Sequence, residues 1–302
     1  MKKVKKKRRL LGRDTLAAIG FLSPSLVGLA IFVVGPIIGA ATISLFDWEI
    51  LTPPKFVGFA NYVAIWDELA NGKVLRQVFA NTLYFTAGTV PLAMAVSLGI
   101  ALLLNRKLFG VAAFRVIYFL PTVTSIVALS IIWRLMYNPD YGLINRALEM
   151  IHLPGPGWLA DPHWAMPAII IMSVWTGIGY NSILYLAGMQ GIASSYYDAA
   201  QVDGANAWQQ FRHVTWPLLS PTTLFIFTMS IISGFQVFTQ IFMMTSGKPT
   251  PETQVYVYHI YSQAFTSFRM GYASALACVL FVIILSITLI QLSITKRWVH
   301  YG

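Results

Sequence analysis

The stretch Ser194–Pro217, SSYYDAAQVDGANAWQQFRHVTWP, lies between two long apolar runs, Pro162–Tyr197 and Val214–Gly247, and overlaps the ends of both. A polar segment of this length has to leave the hydrocarbon, because a bilayer offers exposed polar groups no hydrogen-bond partners. Ser194 or Ser195 is placed to cap a helix whose third position is Asp198, an acidic variant of the capping box. Asp203-Gly204 then supplies a turn, since Gly accepts the left-handed conformation that ends a helix. A second short helix is expected from Asn206 toward Trp216, with Pro217 opening the next apolar run at its first turn. The unit reads as a compact helix-turn-helix on one face of a membrane.

Outward from this segment the chain is apolar. Of its 302 residues 57% are hydrophobic and 11% charged, which does not describe a soluble surface. Charge-free runs occur at Thr15–Phe46, Gln77–Asn105, Val116–Trp133, Pro162–Tyr197, Val214–Gly247 and Met270–Thr295. Each reaches the roughly 18 to 20 residues that a helix needs to cross about 30 Å of hydrocarbon. The third run is short, but Val111–Tyr137 suffices if Arg115 and Arg134 snorkel toward headgroups. Six transmembrane helices of an all-α integral membrane protein are expected. The first run is too long for the apolar part of a secretory signal, and reads as a retained span bent near Gly35-Pro36. The resulting division is a basic tail over 1–14, a six-span domain over 15–296 with a cytoplasmic loop over 190–217, and a tail over 297–302.

Lys and Arg set the orientation. With the N-terminus inside, the inner face holds the Lys2–Arg13 cluster, Arg106, Lys107, Arg115, Arg212, Lys296 and Arg297. The outer face keeps Lys55, Lys73, Arg76, Arg146, Lys248 and Arg269, with Arg134 at its border, an imbalance of about two to one in favour of N-in and C-in. The net charge of +10 is concentrated in the tail before the first span. Attraction to anionic lipid, about 1 kcal/mol per basic residue, accounts for it better than nucleic acid does. Among the outer segments, Val255–Phe268 suits either a short amphipathic helix at the interface or an ordered loop with an aromatic belt.

Several chemistries find no support. There is no Gly-x-x-x-x-Gly-Lys-Ser/Thr motif, and the five histidines show no ligand spacing. The single cysteine, Cys278, can form neither an internal disulfide nor a thiolate metal site. No Asp, Glu, Lys or Arg falls in the middle of any span, where ion-coupled carriers place such groups. The energy for any transport therefore has to come from elsewhere.

The fourth and fifth spans carry polar residues that lipid disfavours. Ser173, Gly177 and Tyr180 share one helix face with Asn181 beside it; Ser230, Ser233 and Gly234 share another, and Gln236 and Gln240 form an i, i+4 pair. A corridor of aromatic faces and neutral hydrogen-bonding groups suits an uncharged polyol. The same residues also serve as helix–helix glue, because Ser and Gly permit close packing and amides bond between spans.

The polar loop resembles the signature of the integral membrane permeases of ATP-binding-cassette importers: Glu-Ala-Ala, three residues, Gly, nine residues, then Ile-x-Leu-Pro. Here Asp198-Ala199-Ala200, Gly204 and Val214-Thr215-Trp216-Pro217 keep every spacing, with Asp for Glu, Val for Ile and Trp for Leu. The Tyr-Asp-Ala-Ala-x-x-Asp-Gly-Ala form, Asn138-Pro139-Asp140-Tyr141-Gly142 and Met270-Gly271-Tyr272-Ala273 are similar to the carbohydrate-uptake branch, the maltose and glycerol-3-phosphate type.

The resemblance implies a type I importer fold in a bacterial inner membrane and a non-catalytic subunit supplying half of a path for a sugar-like solute. It implies as partners a second, different permease, two cytoplasmic ATPases that use ATP and Mg, and an extracytoplasmic solute-binding protein, with no cofactor in this chain. The coupling positions it implies are Asp198, Ala199, Ala200, Asp203, Gly204, Phe211 and Pro217. Ser173, Gly177, Tyr180, Asn181, Ser233, Gln236 and Gln240 become candidates for the solute path. The alternatives are a self-sufficient channel or secondary carrier, which inverted repeats or intramembrane carboxylates would favour, and a non-transporting anchor, which sealed spans would favour.

Overall fold

The computed structural model describes residues 13–105 and 111–295, which are almost wholly helical. The basic N-terminal cluster up to residue 12, Arg106, Lys107 and the tail from Lys296 lie outside the described residues.

Helix α1 (Arg13–Leu29) passes through a π turn at Ala30–Val34 into α2 (Gly35–Ile43), giving a first span over Ala17–Ile43. At Gly35-Pro36, where a bend was expected, the missing amide donor of Pro36 is absorbed by that π turn. A hairpin follows: β1 (Phe46–Asp47) pairs antiparallel with β2 (Lys55–Phe56), Phe46 opposite Phe56. Asn61 of α3 (Ala60–Asn71) pins it, its Nδ2 donating to the carbonyls of Ser44 at 2.8 Å and Phe46 at 2.9 Å.

The long helix α4 (Val74–Leu104) is the second span. The third, expected over Val111–Tyr137, is broken in the middle: α5 (Val111–Val123) and α6 (Ile126–Met136) meet at 112°. Pro121 weakens the end of α5, Ser125 is extended in ψ at 127°, and the Thr124 hydroxyl donates to the Leu120 carbonyl at 2.8 Å. The side chain thus takes up a carbonyl that the interrupted backbone ladder releases. After α7 (Leu143–Met150), helix α8 (Pro162–Gln190) forms the fourth span, opened by Asp161, whose carboxylate accepts from the His163 amide.

The polar loop contains α9 (Ser194–Val202), α10 (Ala207–Gln210), a π turn over Phe211–Thr215 and α11 (Trp216–Leu218). It leads into α12 (Ser220–Phe235), which leaves the 207–218 stretch at 64°. The fifth span was expected to begin near Val214 with Pro217 in its first turn. Pro217 does stand in the first turn of α11, and the helix breaks again before Ser220, where Pro217 and Pro221 each remove a backbone donor and the Ser220 hydroxyl donates to the Pro217 carbonyl at 2.6 Å. The chain continues through α13 (Thr239–Met244), α14 (Tyr256–Tyr261), a π turn at Ser262–Thr266, and α15 (Met270–Thr295), the last span. Segment 255–268 is thus helical over Tyr256–Thr266, in an α and a π piece. Four straight helices and two bent pairs give six spans when each pair counts as one.

Packing follows the rules of lipid, where small residues and hydroxyls bring helices together. The most extensive pairing is α4 with α8. There the Ser97 hydroxyl donates to the Ile178 carbonyl at 3.3 Å and the Ser182 hydroxyl to the Ser97 carbonyl at 3.2 Å. At the α5–α8 crossing a Cβ on Gly179 would collide with the Thr122 hydroxyl and the Tyr118 carbonyl, so only Gly permits this approach. The first span, by contrast, turns nearly all its side chains outward, as a helix solvated by lipid does.

Candidate functional site

A cavity of about 450 Å³ opens between α4, the α5–α6 break, α8 and α12. Of the proposed path residues, Ser173, Gly177, Tyr180, Asn181, Ser233 and Gln240 all line it. Gln236 does not. Helix α12 stops at Phe235, Gln236 is its C-cap with φ −98° and an exposed side chain, and Gln240 belongs to the separate helix α13. The expected i, i+4 pairing of the two amides therefore does not exist.

The cavity also gathers Thr89 from α4 and Thr122 from α5, which the sequence pattern did not single out. In an apolar helix a Thr hydroxyl ordinarily donates to the carbonyl one turn back, as Thr82, Thr86 and Thr228 do at 2.8 Å each. The buried hydroxyls of Thr89, Thr122 and Ser173 have no hydrogen-bond partner among the described residues. A buried unsatisfied polar group costs about 1 to 3 kcal/mol, and three of them belong to residues around this one cavity. Tyr180, half exposed, and Asn181 complete a wall in which no Asp, Glu, Lys, Arg or His takes part.

On the opposite side of the α8 C-terminus lies the polar loop. Helix α9 has Ala193 at its N-cap, and no side chain caps it. The capping box expected from Ser194 or Ser195 with Asp198 is not formed, because α9 already begins at Ser194 and Asp198 falls beyond its first turn. The box sits at the second arm instead: the Gln209 amide donates to Asn206 Oδ1 at 2.9 Å, and the Asn206 amide to Gln209 Oε1 at 2.8 Å. Between the arms Gly204 has φ +76°, and the Ala205 amide reaches back to the Ala200 carbonyl at 2.8 Å.

Further contacts stiffen the unit. Tyr197 and Thr215 join hydroxyls across the two arms at 3.0 Å, and Gln210 Nε2 donates to the Ala205 carbonyl at 2.9 Å. Trp208, Phe211 and Trp216 form a row of rings with centroids 5.5 and 6.2 Å apart. Asp198, Ala199, Asp203 and Gly204 are exposed, while Ala200, Phe211 and Pro217 are half-buried. Ala199, Ala200, Asp203 and Gly204 border a cleft of about 450 Å³ between the arms. Val202 is 88% exposed and Trp208 66%, apolar surface that the polar loop presents outward.

The family model described as "binding-protein-dependent transport system inner membrane component" matches residues 69–300. The chain is 35% identical over 300 residues to the probable ABC transporter permease protein YesP of Bacillus subtilis, covering 98% of this chain and 96% of that one. It is 35% identical over 274 residues to the lactose transport system permease protein LacF of Rhizobium radiobacter, covering 90% of each. A chain of the bacterial alginate ABC transporter, solved with its alginate pentasaccharide-bound periplasmic protein, superposes with a TM-score of 0.84 at 25% identity, covering 99% of this chain and all of that one. A six-span helical bundle, a loop with the permease signature spacing and these likenesses converge: the chain belongs to the binding-protein-dependent inner-membrane component family and is a permease subunit of an ATP-binding-cassette importer.

Proposed function

We propose that this subunit forms half of a translocation path for a neutral carbohydrate, and that its cavity between α4, α8 and α12 handles the solute. The observation that carries this reading is the cavity wall: three unpartnered buried hydroxyls, an amide and a tyrosine ring, with no ionised side chain among them. Sugars present hydroxyls that donate and accept and C–H faces that lie on aromatic rings, so this wall matches their chemistry. LacF, a relative named for lactose, is consistent with it, whereas alginate, the substrate of the structural neighbour, is acidic.

In the same reading the complex contains a second permease, two cytoplasmic ATPases and an extracytoplasmic solute-binding protein, like that in the alginate complex. The ATPases use ATP and Mg, and this chain needs no cofactor. The loop around Asp198, Ala199, Ala200, Asp203, Gly204, Phe211 and Pro217 docks in an ATPase groove, with Val202 and Trp208 as the apolar contact. Such a lever has to be stiff to transmit motion, and the capping box and the Tyr197–Thr215 bond make it so.

The test is uptake by the reconstituted complex. Vesicles charged with ATP should accumulate a neutral disaccharide or trisaccharide and discriminate strongly against the matching uronate. Equal uptake of the uronate would sink the neutral-solute assignment.

A further inference from the structure

A second cavity, of about 270 Å³, lies on the outer face, where the C-terminal ends of α6 and α13 meet the loops after them. Two cations line it, Arg134 and Lys248, together with the hydroxyl-bearing Thr245, Thr250 and Thr253; no carboxylate does. Asp140 and Glu252, the acids nearest in sequence, stay out of the wall. Among the described residues the only side-chain ion pair joins His163 and Asp161, so neither cation has a carboxylate partner.

The site is built and not a chance meeting of surface lysines. Arg134 is half-buried, and its Nη1 donates to the Ser246 hydroxyl at 2.7 Å and the Met243 carbonyl at 3.2 Å. Ser246 and Gly247 both take positive φ, +56° and +73°, in the turn that presents Lys248. Tyr258 fastens that turn by donating to the Gly247 carbonyl at 3.1 Å. A held guanidinium with the exposed ammonium of Lys248 beside it, around a small opening, makes an anion socket.

We propose that this socket receives the carboxylate of an Asp or Glu side chain on the solute-binding protein, clamped between Arg134 and Lys248 when that protein docks. The proposal rests on the partner assigned above, and three observations choose a protein side chain over a transported anion. The volume falls just below the roughly 300 to 1,000 Å³ of small-molecule sites. The transmembrane cavity has no cation to receive an anion passed inward. The contact between α6 and α13, beside this opening, is filled by the buried side chains of Leu129, Ile241 and Met244. A protein carboxylate stays at the mouth and needs no passage, and pairing it there favours encounter and fixes the docked register.

The experiment uses the whole importer in lipid nanodiscs and the solute-binding protein recovered with the native complex. Affinity is measured across a salt series for the unaltered complex, Lys248→Gln and Arg134→Gln. Among the described residues the Lys248 side chain makes no hydrogen bond or ion pair, so its variant tests charge without disturbing the turn. Each variant should weaken docking on the order of tenfold and flatten its salt dependence. Unchanged affinity and salt dependence in both variants, with normal docking to the unaltered complex, would overturn the socket and leave the partner assignment standing. Failure of the unaltered complex to bind any such protein would overturn the partner assignment and the socket with it. Binding of free galacturonate that Lys248→Gln abolishes would make the cavity a solute subsite, again overturning the proposal.

Discussion

The Tyr197 hydroxyl lies 3.0 Å from Thr215 Oγ1, joining the two arms of the cytoplasmic loop at their membrane end, while Gly204 turns the chain at the far end. Thr215 is buried, and its hydroxyl also lies 3.5 Å from the Gln210 carbonyl. The loop is thus fastened at one end and turned tightly at the other.

Breaking that fastening should uncouple hydrolysis from uptake. Tyr197→Phe and Thr215→Val each remove one hydrogen bond worth about 0.5 to 1.5 kcal/mol while keeping shape. The complex should assemble and hydrolyse ATP, yet move fewer sugars per ATP, and Thr215→Ser should restore the ratio. Transport stoichiometry measured in vesicles checks this; an unaltered ratio in both variants rejects the strut.

Gly204 tests the turn by strain alone. No atom lies within 4 Å of where its Cβ would stand, so a substituent there meets open space, but φ +76° is unfavourable for any branched side chain. Gly204→Val should cost about 1 to 2 kcal/mol locally and reduce uptake, whereas Gly204→Asn, which tolerates this region, should be mild. Equal uptake by the two variants would show that the turn geometry does not matter.

Much of this architecture is legible along the chain, because a bilayer imposes one strong rule on composition and the six apolar runs obey it. Gly204 and Asn206 are equally plain, since a positive-φ turn and an N-cap each ask for a particular residue type. The break at Gln236–Phe238 is not: no Pro marks it, Gly234 just before it reads equally as a packing residue, and the remaining sign is a glutamine in an apolar run. Thr89 and Thr122 were missed for a different reason. Each is an ordinary helix hydroxyl in its own segment, and only the tertiary packing brings the two residues to one cavity. Ala193 takes the N-cap where Ser194 was expected because the helix starts one residue early, a shift that propensity does not resolve.

On the outer face His259 should make stability depend on pH. It is buried on α14, and burial holds its pKa below the ordinary histidine value, a shift that the Glu68 carboxylate opposes and the Arg269 guanidinium reinforces. The folded protein therefore binds the proton less readily than the unfolded chain, so its stabilising neutral form is fully effective above the unfolded pKa near 6.5 and the advantage declines as pH falls below it. The melting temperature of the complex should drop from pH 7.5 to pH 5.5, and His259→Gln should flatten that slope. Equal slopes would place the dependence elsewhere.

The cavity hydroxyls offer the sharpest separation of stability from function. Ser173 and Thr122 hold buried oxygens that nothing in the described structure satisfies. Removing such an oxygen while preserving volume relieves a penalty of about 1 to 3 kcal/mol, so Ser173→Ala and Thr122→Val should leave the complex as stable or raise its melting temperature. If the hydroxyls serve the sugar, the same changes should lower uptake severalfold, because a solute hydroxyl loses its partner as it passes. Helix packing alone predicts the reverse: a hydroxyl that fastened helices would cost stability when removed and leave the transport rate of the surviving complex intact. Melting temperature and initial uptake rate, measured on the same preparations, distinguish the two. A pair of variants that are destabilised yet transport normally would remove Ser173 and Thr122 from the path and return them to packing.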